Sequence, residues 1–225
     1  MLQKIESSID TSITKQIQKQ ESRYENDEQR ECHRVFKTST YEQFKNINPD
    51  RTPGTCTWVL SHPQYTEWRH RPKDDLLWIS ADPGCGKSVL SKFLIDHELQ
   101  STGTHTLCYF FFKDNEEQNS LATALCALLH QLFARRPQLL GHAMPAWERN
   151  GEKLQHEVGE LWRILLAAAS DPVAESILCV LDALDECQTQ DRQIPLRNLS
   201  SFYTVSSSVR PNGTLKFLVT QSSLR

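Results

Sequence analysis

With 225 residues, 38% hydrophobic and 24% charged, the chain has room for one α/β domain and an appendage. A net charge of −3 points away from nucleic acid or an anionic membrane as the main partner. No apolar run approaches the ~20 residues of a membrane span, and Met1 to Glu6 starts no apolar signal segment. The seven cysteines have no Cys-x-x-Cys spacing, which reads as reduced thiols in a cytoplasmic protein rather than a disulfide frame or a zinc site.

Residues 1–48 lack glycine and proline. Ile5, Ile9, Ile13 and Ile17 recur every fourth residue, predicting a thinly striped helix. The segment is read as a helical arm or linker, or as a helix that docks on a neighbouring domain. Pro49 to Gly54 breaks the chain, and the main domain is assigned to 49–225. Thr55 to His62 is expected to form a short helix ended by Pro63. Gln64 to Asp75, with Trp68, leads into the first strand.

From there strands and helices alternate. Strands are predicted at 76–80, 106–112, 177–181 and 215–220. Helices are predicted at 87–99, at 121–132 behind a cap at Asn119 or Ser120, at 157–169, and around 196–205. Such alternation predicts a mostly parallel sheet with helices on both faces.

Between strand one and its helix lies Ser80-Ala81-Asp82-Pro83-Gly84-Cys85-Gly86-Lys87-Ser88. A glycine-rich loop between a strand and a helix is the context that a phosphate-binding loop needs. The candidate nucleotide site is therefore Ala81, Asp82, Pro83, Gly84, Cys85, Gly86, Lys87, Ser88 and Val89. Backbone N–H groups from Gly84 to Ser88 can curl around a phosphate, helped by the helix N-terminus. Lys87 is assigned to the β- and γ-phosphates and the Ser88 hydroxyl to Mg²⁺. Ala81 stands where the pattern's first glycine is usual, which costs little if its φ stays negative.

A metal site needs an acid on a neighbouring strand. Ile177 to Leu181 is such a strand, and Asp182 ends it, where open α/β sheets bind ligands. Asp182 is the candidate second Mg²⁺ residue beside Ser88. Asp185 and Glu186, three and four residues on, are the candidate catalytic acids that would polarise water.

Asp182-Ala183-Leu184-Asp185-Glu186 resembles the extended Walker B of NACHT-type P-loop NTPases, and Asp82 to Ser88 resembles their Walker A. The text around them (Gly54-Thr55-Cys56-Thr57-Trp58, Leu77-Trp78-Ile79-Ser80, and Leu215 to Thr220) is similar to fungal NACHT proteins, a group also classed as nephrocystin-like N-terminal. The resemblance covers residues 30–221. It implies an ASCE-type P-loop NTPase fold with sheet order 5-1-4-3-2, so that this chain would end after strand four. It also implies a STAND, NLR-like switch that binds ATP or GTP with Mg²⁺, assembles with copies of itself or related NLR chains, and serves non-self recognition. Gly54 to Cys56 lies where the family's base contacts arise. The arginine that senses the γ-phosphate in the family is replaced here by Ser222. A degenerate P-loop scaffold that keeps the fold but neither hydrolyses nor switches, or an interaction fragment, is the alternative reading.

Overall fold

The computed structural model describes residues 27–188 and 213–223. The isoleucine stripe and the helix expected at 196–205 lie outside these residues, as does Arg225.

Four strands form one sheet: β1 (Asp75–Ala81), β2 (His105–Phe111), β3 (Ser176–Asp182) and β4 (Leu215–Ser222). Their order is β1-β4-β3-β2 and every pairing is parallel. This is the α/β architecture read from the sequence, with the described strands in the expected order. β3 and β4 are central and almost wholly buried. Successive side chains on a strand point to opposite faces, so each strand feeds two cores. Cys108, Phe110, Cys179, Leu181, Phe217 and Val219 enter one. Leu107, Phe111, Leu178, Val180 and Leu218 enter the other.

Helices cover both faces. On the first, α5 (Leu121–Arg135) and α7 (Val158–Ala169) pack over the sheet, and the Trp162 ring stacks on Phe217 at 5.8 Å. The Ser120 hydroxyl caps α5 by accepting from Ala122 N–H at 3.2 Å. On the second face lie α3 (Pro63–His70) and α4 (Lys87–Phe93). α4 continues as a π-helical turn, Leu94–Glu98, closed by Leu99 N–H on Leu94 O at 2.8 Å. The wider turn lets Leu94, Ile95 and Leu99 all be buried.

Two expectations need correction. Pro63 starts a helix instead of ending one: it occupies the first turn of α3, where its missing N–H costs nothing. The preceding piece is a 3₁₀ turn, Thr57–Ser61. Residues 27–48, read as part of an arm or linker, pack on the domain itself. They form α1 (Asp27–Val35) and α2 (Tyr41–Asn46), and Cys32, Phe36 and Tyr41 are buried in the first core. The Phe36 ring packs edge-on against Phe133 of α5 at 5.5 Å. A further helix, α6 (Met144–Asn150), and 3₁₀ turns at 137–142 and 151–156 fill the long crossover between β2 and β3.

The outer edge of β2 is closed by side chains. Gln131 Oε1 accepts from Tyr109 N–H at 3.1 Å and its Nε2 donates to Tyr109 O at 2.8 Å. Ser101 Oγ accepts from Leu107 N–H at 2.9 Å. One side-chain amide thus occupies both open backbone groups of Tyr109, which blocks strand addition there. Among the described residues no helix is long and apolar enough to cross a membrane.

Lys216 is a buried cation at the start of β4, 3% exposed. Its Nζ donates to Trp68 O at 2.6 Å and Arg69 O at 3.0 Å, closing the last turn of α3. Burial, then the nearby Arg69 charge, lowers its pKa to about 8. Between this value and the 10.5 of an unfolded lysine, the unfolded chain binds more protons, so this group favours the fold increasingly as pH rises. Urea melts should therefore show wild type gaining roughly 1–2 kcal/mol on Lys216→Met between pH 8 and 10. A pH-independent difference would contradict it.

Candidate functional site

The phosphate-type loop leaves the end of β1 and enters α4, at the edge where β3 and β4 also end. Gly84 and Gly86 have φ of +79° and +80°, values that disfavour any side chain. A Cβ on either glycine would meet open space, so backbone conformation alone demands glycine here. Ala81 is not among the described residues with positive φ, and it ends β1 in ordinary strand conformation, which explains why alanine serves there. Cys85 N–H turns back to Asp82 O at 3.3 Å. The amides of Lys87 and Ser88, in the first turn of a helix, have no intrahelical carbonyl to bond. Lys87 Nζ folds over the loop and donates to Ala81 O at 2.9 Å and Asp82 O at 3.0 Å. Asp82, Pro83 and Cys85 are exposed, and Ser88 and Val89 are half-buried.

Asp182 ends β3 fully buried. Its Oδ1 accepts from Ser91 Oγ of α4 at 2.6 Å and from Thr220 Oγ1 of β4 at 2.7 Å. Its Oδ2 is buried and has no partner. A buried carboxylate oxygen left without a donor is costly and calls for an explanation. One carboxylate plus one hydroxyl is a donor set that suits Mg²⁺, which takes oxygen ligands and keeps much of its water or phosphate shell. Ser88 and Asp182 therefore fit the cation expected of them. Among the described residues no cluster of three His, Cys, Asp or Glu side chains offers a separate metal site.

Beyond Asp182 the chain turns sharply at Ala183, whose φ of 56° is positive without glycine. The 3₁₀ turn Leu184–Glu186 follows. The two acids expected to act on water are each held by a backbone amide. Asp185 Oδ1 accepts from Ser222 N–H at 2.9 Å, and Glu186 Oε2 accepts from Asp114 N–H at 3.0 Å. Burial, reinforced by the Asp185 and Asp182 charges, raises the Glu186 pKa; Lys113 and the Asp114 amide oppose this. Ser222, at the position expected for an arginine, thus donates its amide to Asp185.

Sequence reading missed Ser91 and the role of Thr220. Ser91 stands one helical turn after Ser88, and that i,i+3 spacing was the available signal. Gly54, expected near a base, lines a cavity of about 350 Å³ with Arg51, Lys92 and Phe93. Phe93 lies six residues along α4 from Lys87, ~9 Å by helical rise, so this cavity sits at the far end of the helix from the loop. A second cavity, about 590 Å³, lies beside the β2 edge and is not lined by the loop either.

The sequence model of the family described as "Nephrocystin 3, N-terminal" matches residues 54–221, most of the chain. The chain belongs to the nephrocystin 3 N-terminal family. The resemblance to NACHT-type domains read from its Walker-like segments is thereby borne out. The chain is also similar to the vegetative incompatibility protein HET-E-1 of Podospora anserina, at 33% identity over 142 residues. That alignment takes in 61% of this chain and 10% of the relative, so the chain spans about a tenth of that protein's length. Within this nephrocystin 3 N-terminal domain, the match contains both the loop at 81–89 and the acidic turn at 182–186.

Proposed function

We propose that this domain binds a nucleoside triphosphate, ATP or GTP, with Mg²⁺, as the switch module of an NLR-like signalling protein. The observation that carries the reading is the unpartnered Asp182 Oδ2, buried at the same sheet edge as a loop whose amides and lysine suit phosphate. Lys87 would exchange two loop carbonyls for phosphate oxygens, and Ser88 and Asp182 would hold the cation. Mg²⁺ bound there would neutralise charge on the phosphates. The similarity to an incompatibility protein supports a role in non-self recognition and assembly with related chains.

Binding with slow turnover is the form we favour. Ser222 stands at the position expected for the arginine that senses the γ-phosphate and brings no cationic side chain there.

The loop carries its own reporter. Cys85 is exposed, Cys56 is half-buried, and the other five cysteines are buried. Alkylation of Cys85, followed by peptide mass spectrometry, is expected to slow about tenfold or more with saturating Mg²⁺ and ATP or GTP. Equal labelling with and without either nucleotide would refute binding at this loop.

A further inference from the structure

We infer that Ser91 and Thr220 are positioning residues that aim Asp182 at a divalent cation, by taking one carboxylate oxygen and leaving the other free. The inference rests on the proposed function and adds the residues on which its metal dependence turns.

Both hydroxyls donate to the same atom. Ser91 Oγ lies 2.6 Å and Thr220 Oγ1 2.7 Å from Asp182 Oδ1. They come from different elements, α4 behind the loop and the end of β4, so the carboxyl group is gripped from two sides. Thr220 has a single hydroxyl proton, and its direction is set. Ala183 N–H donates to Thr220 Oγ1 at 2.9 Å, filling the acceptor side and turning the proton towards Asp182. Ser91, Asp182 and Thr220 are each 0% exposed, so water does not compete for these bonds. A network that served only to join α4, β3 and β4 would satisfy both carboxylate oxygens. Here Oδ2 alone has no partner. Donors that fix a ligand's orientation typically govern metal affinity by 10–100-fold.

The test is the magnesium-linked gain in nucleotide affinity, measured with fluorescent ATP and GTP derivatives in Mg²⁺ and in EDTA. Wild type should bind more tightly in Mg²⁺. Ser91→Ala and Thr220→Val should lose about tenfold of that gain, with affinity in EDTA unchanged, because loop amides and Lys87 do not depend on Asp182. Thr220→Ser should restore it. Thr220→Val strands the Ala183 amide and is the variant at risk of misfolding; Ser91→Ala leaves that amide paired and carries the test alone if needed. Variants that keep the full gain, or that lose affinity equally in Mg²⁺ and EDTA, overturn the inference in favour of a structural role. Wild-type binding with no magnesium-linked gain also overturns it, while leaving nucleotide binding standing. Absence of wild-type binding in both conditions sinks the proposed function, and the inference with it.

Discussion

Lowering the pH from 7 to 4.5 is expected to destabilise the fold by about 2–3 kcal/mol through His130 alone. His130 lies on α5 beneath the two N-terminal helices. Its ring stacks on His33 at 4.5 Å, and its Nδ1 lies 2.8 Å from the Tyr41 hydroxyl, where a neutral ring accepts a hydrogen bond. Burial, then the neighbouring His33 and Lys37, lowers its pKa from 6.5 to about 3; Glu42 acts in the opposite sense. The folded ring thus stays neutral where the unfolded one gains a proton. Stability is lost as pH falls below 6.5, and the loss levels off below about 3. Urea melts at the two pH values, for wild type and His130→Gln, isolate the effect. The variant should lose about 2–3 kcal/mol less than wild type on acidification. Parallel acid sensitivity in the two proteins would show that His130 does not carry this load. The loss should appear first as exposure of α1 and α2, which hydrogen exchange can follow.

Lys87→Ala is expected to weaken triphosphate binding by roughly 100-fold, about 3 kcal/mol. In the structure the ammonium group bonds only to loop carbonyls, Ala81 O and Asp82 O. Asp82 O is exposed, and Ala81 O still accepts from Ser223 N–H at 3.0 Å, so truncation strands neither carbonyl and stability should change little. A bound phosphate would offer charged acceptors, and charge-assisted bonds are worth about twice neutral ones. The variant should therefore separate the two properties: an unchanged melting temperature without nucleotide, and loss of the shift that nucleotide produces. Retention of the wild-type shift would remove Lys87 from the site.

The sheet was legible because its strands are short apolar runs between turn residues, and all four fall within about two residues of their predicted limits. The loop was legible because strand, glycines and Lys-Ser occur in one order with one purpose. Residues 27–48 were misread for a physical reason. Three of their few apolar residues, Cys32, Phe36 and Tyr41, are buried in a core made by residues far along the chain, while Ile47 stays exposed. Sparse patterning reads as solvation when the partner surface, here Phe133 and His130 of α5, is not visible. Pro63 was misread because proline marks a helix start as readily as an end. The Asp182 network was half legible: the acid follows from its place after a core strand, but Ser91 and Thr220 meet it only through the tertiary fold. The engagement of Asp185 and Glu186 by amides of Ser222 and Asp114 is likewise a property of packing, with no local signature.

The central claim is that the loop at 81–89 and Asp182 together form one magnesium-dependent nucleotide site. Isothermal titration of Mg²⁺–ATP and Mg²⁺–GTP into the 225-residue chain, with Asp182→Asn beside wild type, tests it most directly. The account predicts one saturable site for at least one nucleotide, weakened about tenfold or more by Asp182→Asn in Mg²⁺ but not in EDTA. No binding heat for either nucleotide, or identical affinities for wild type and Asp182→Asn in Mg²⁺, would contradict it.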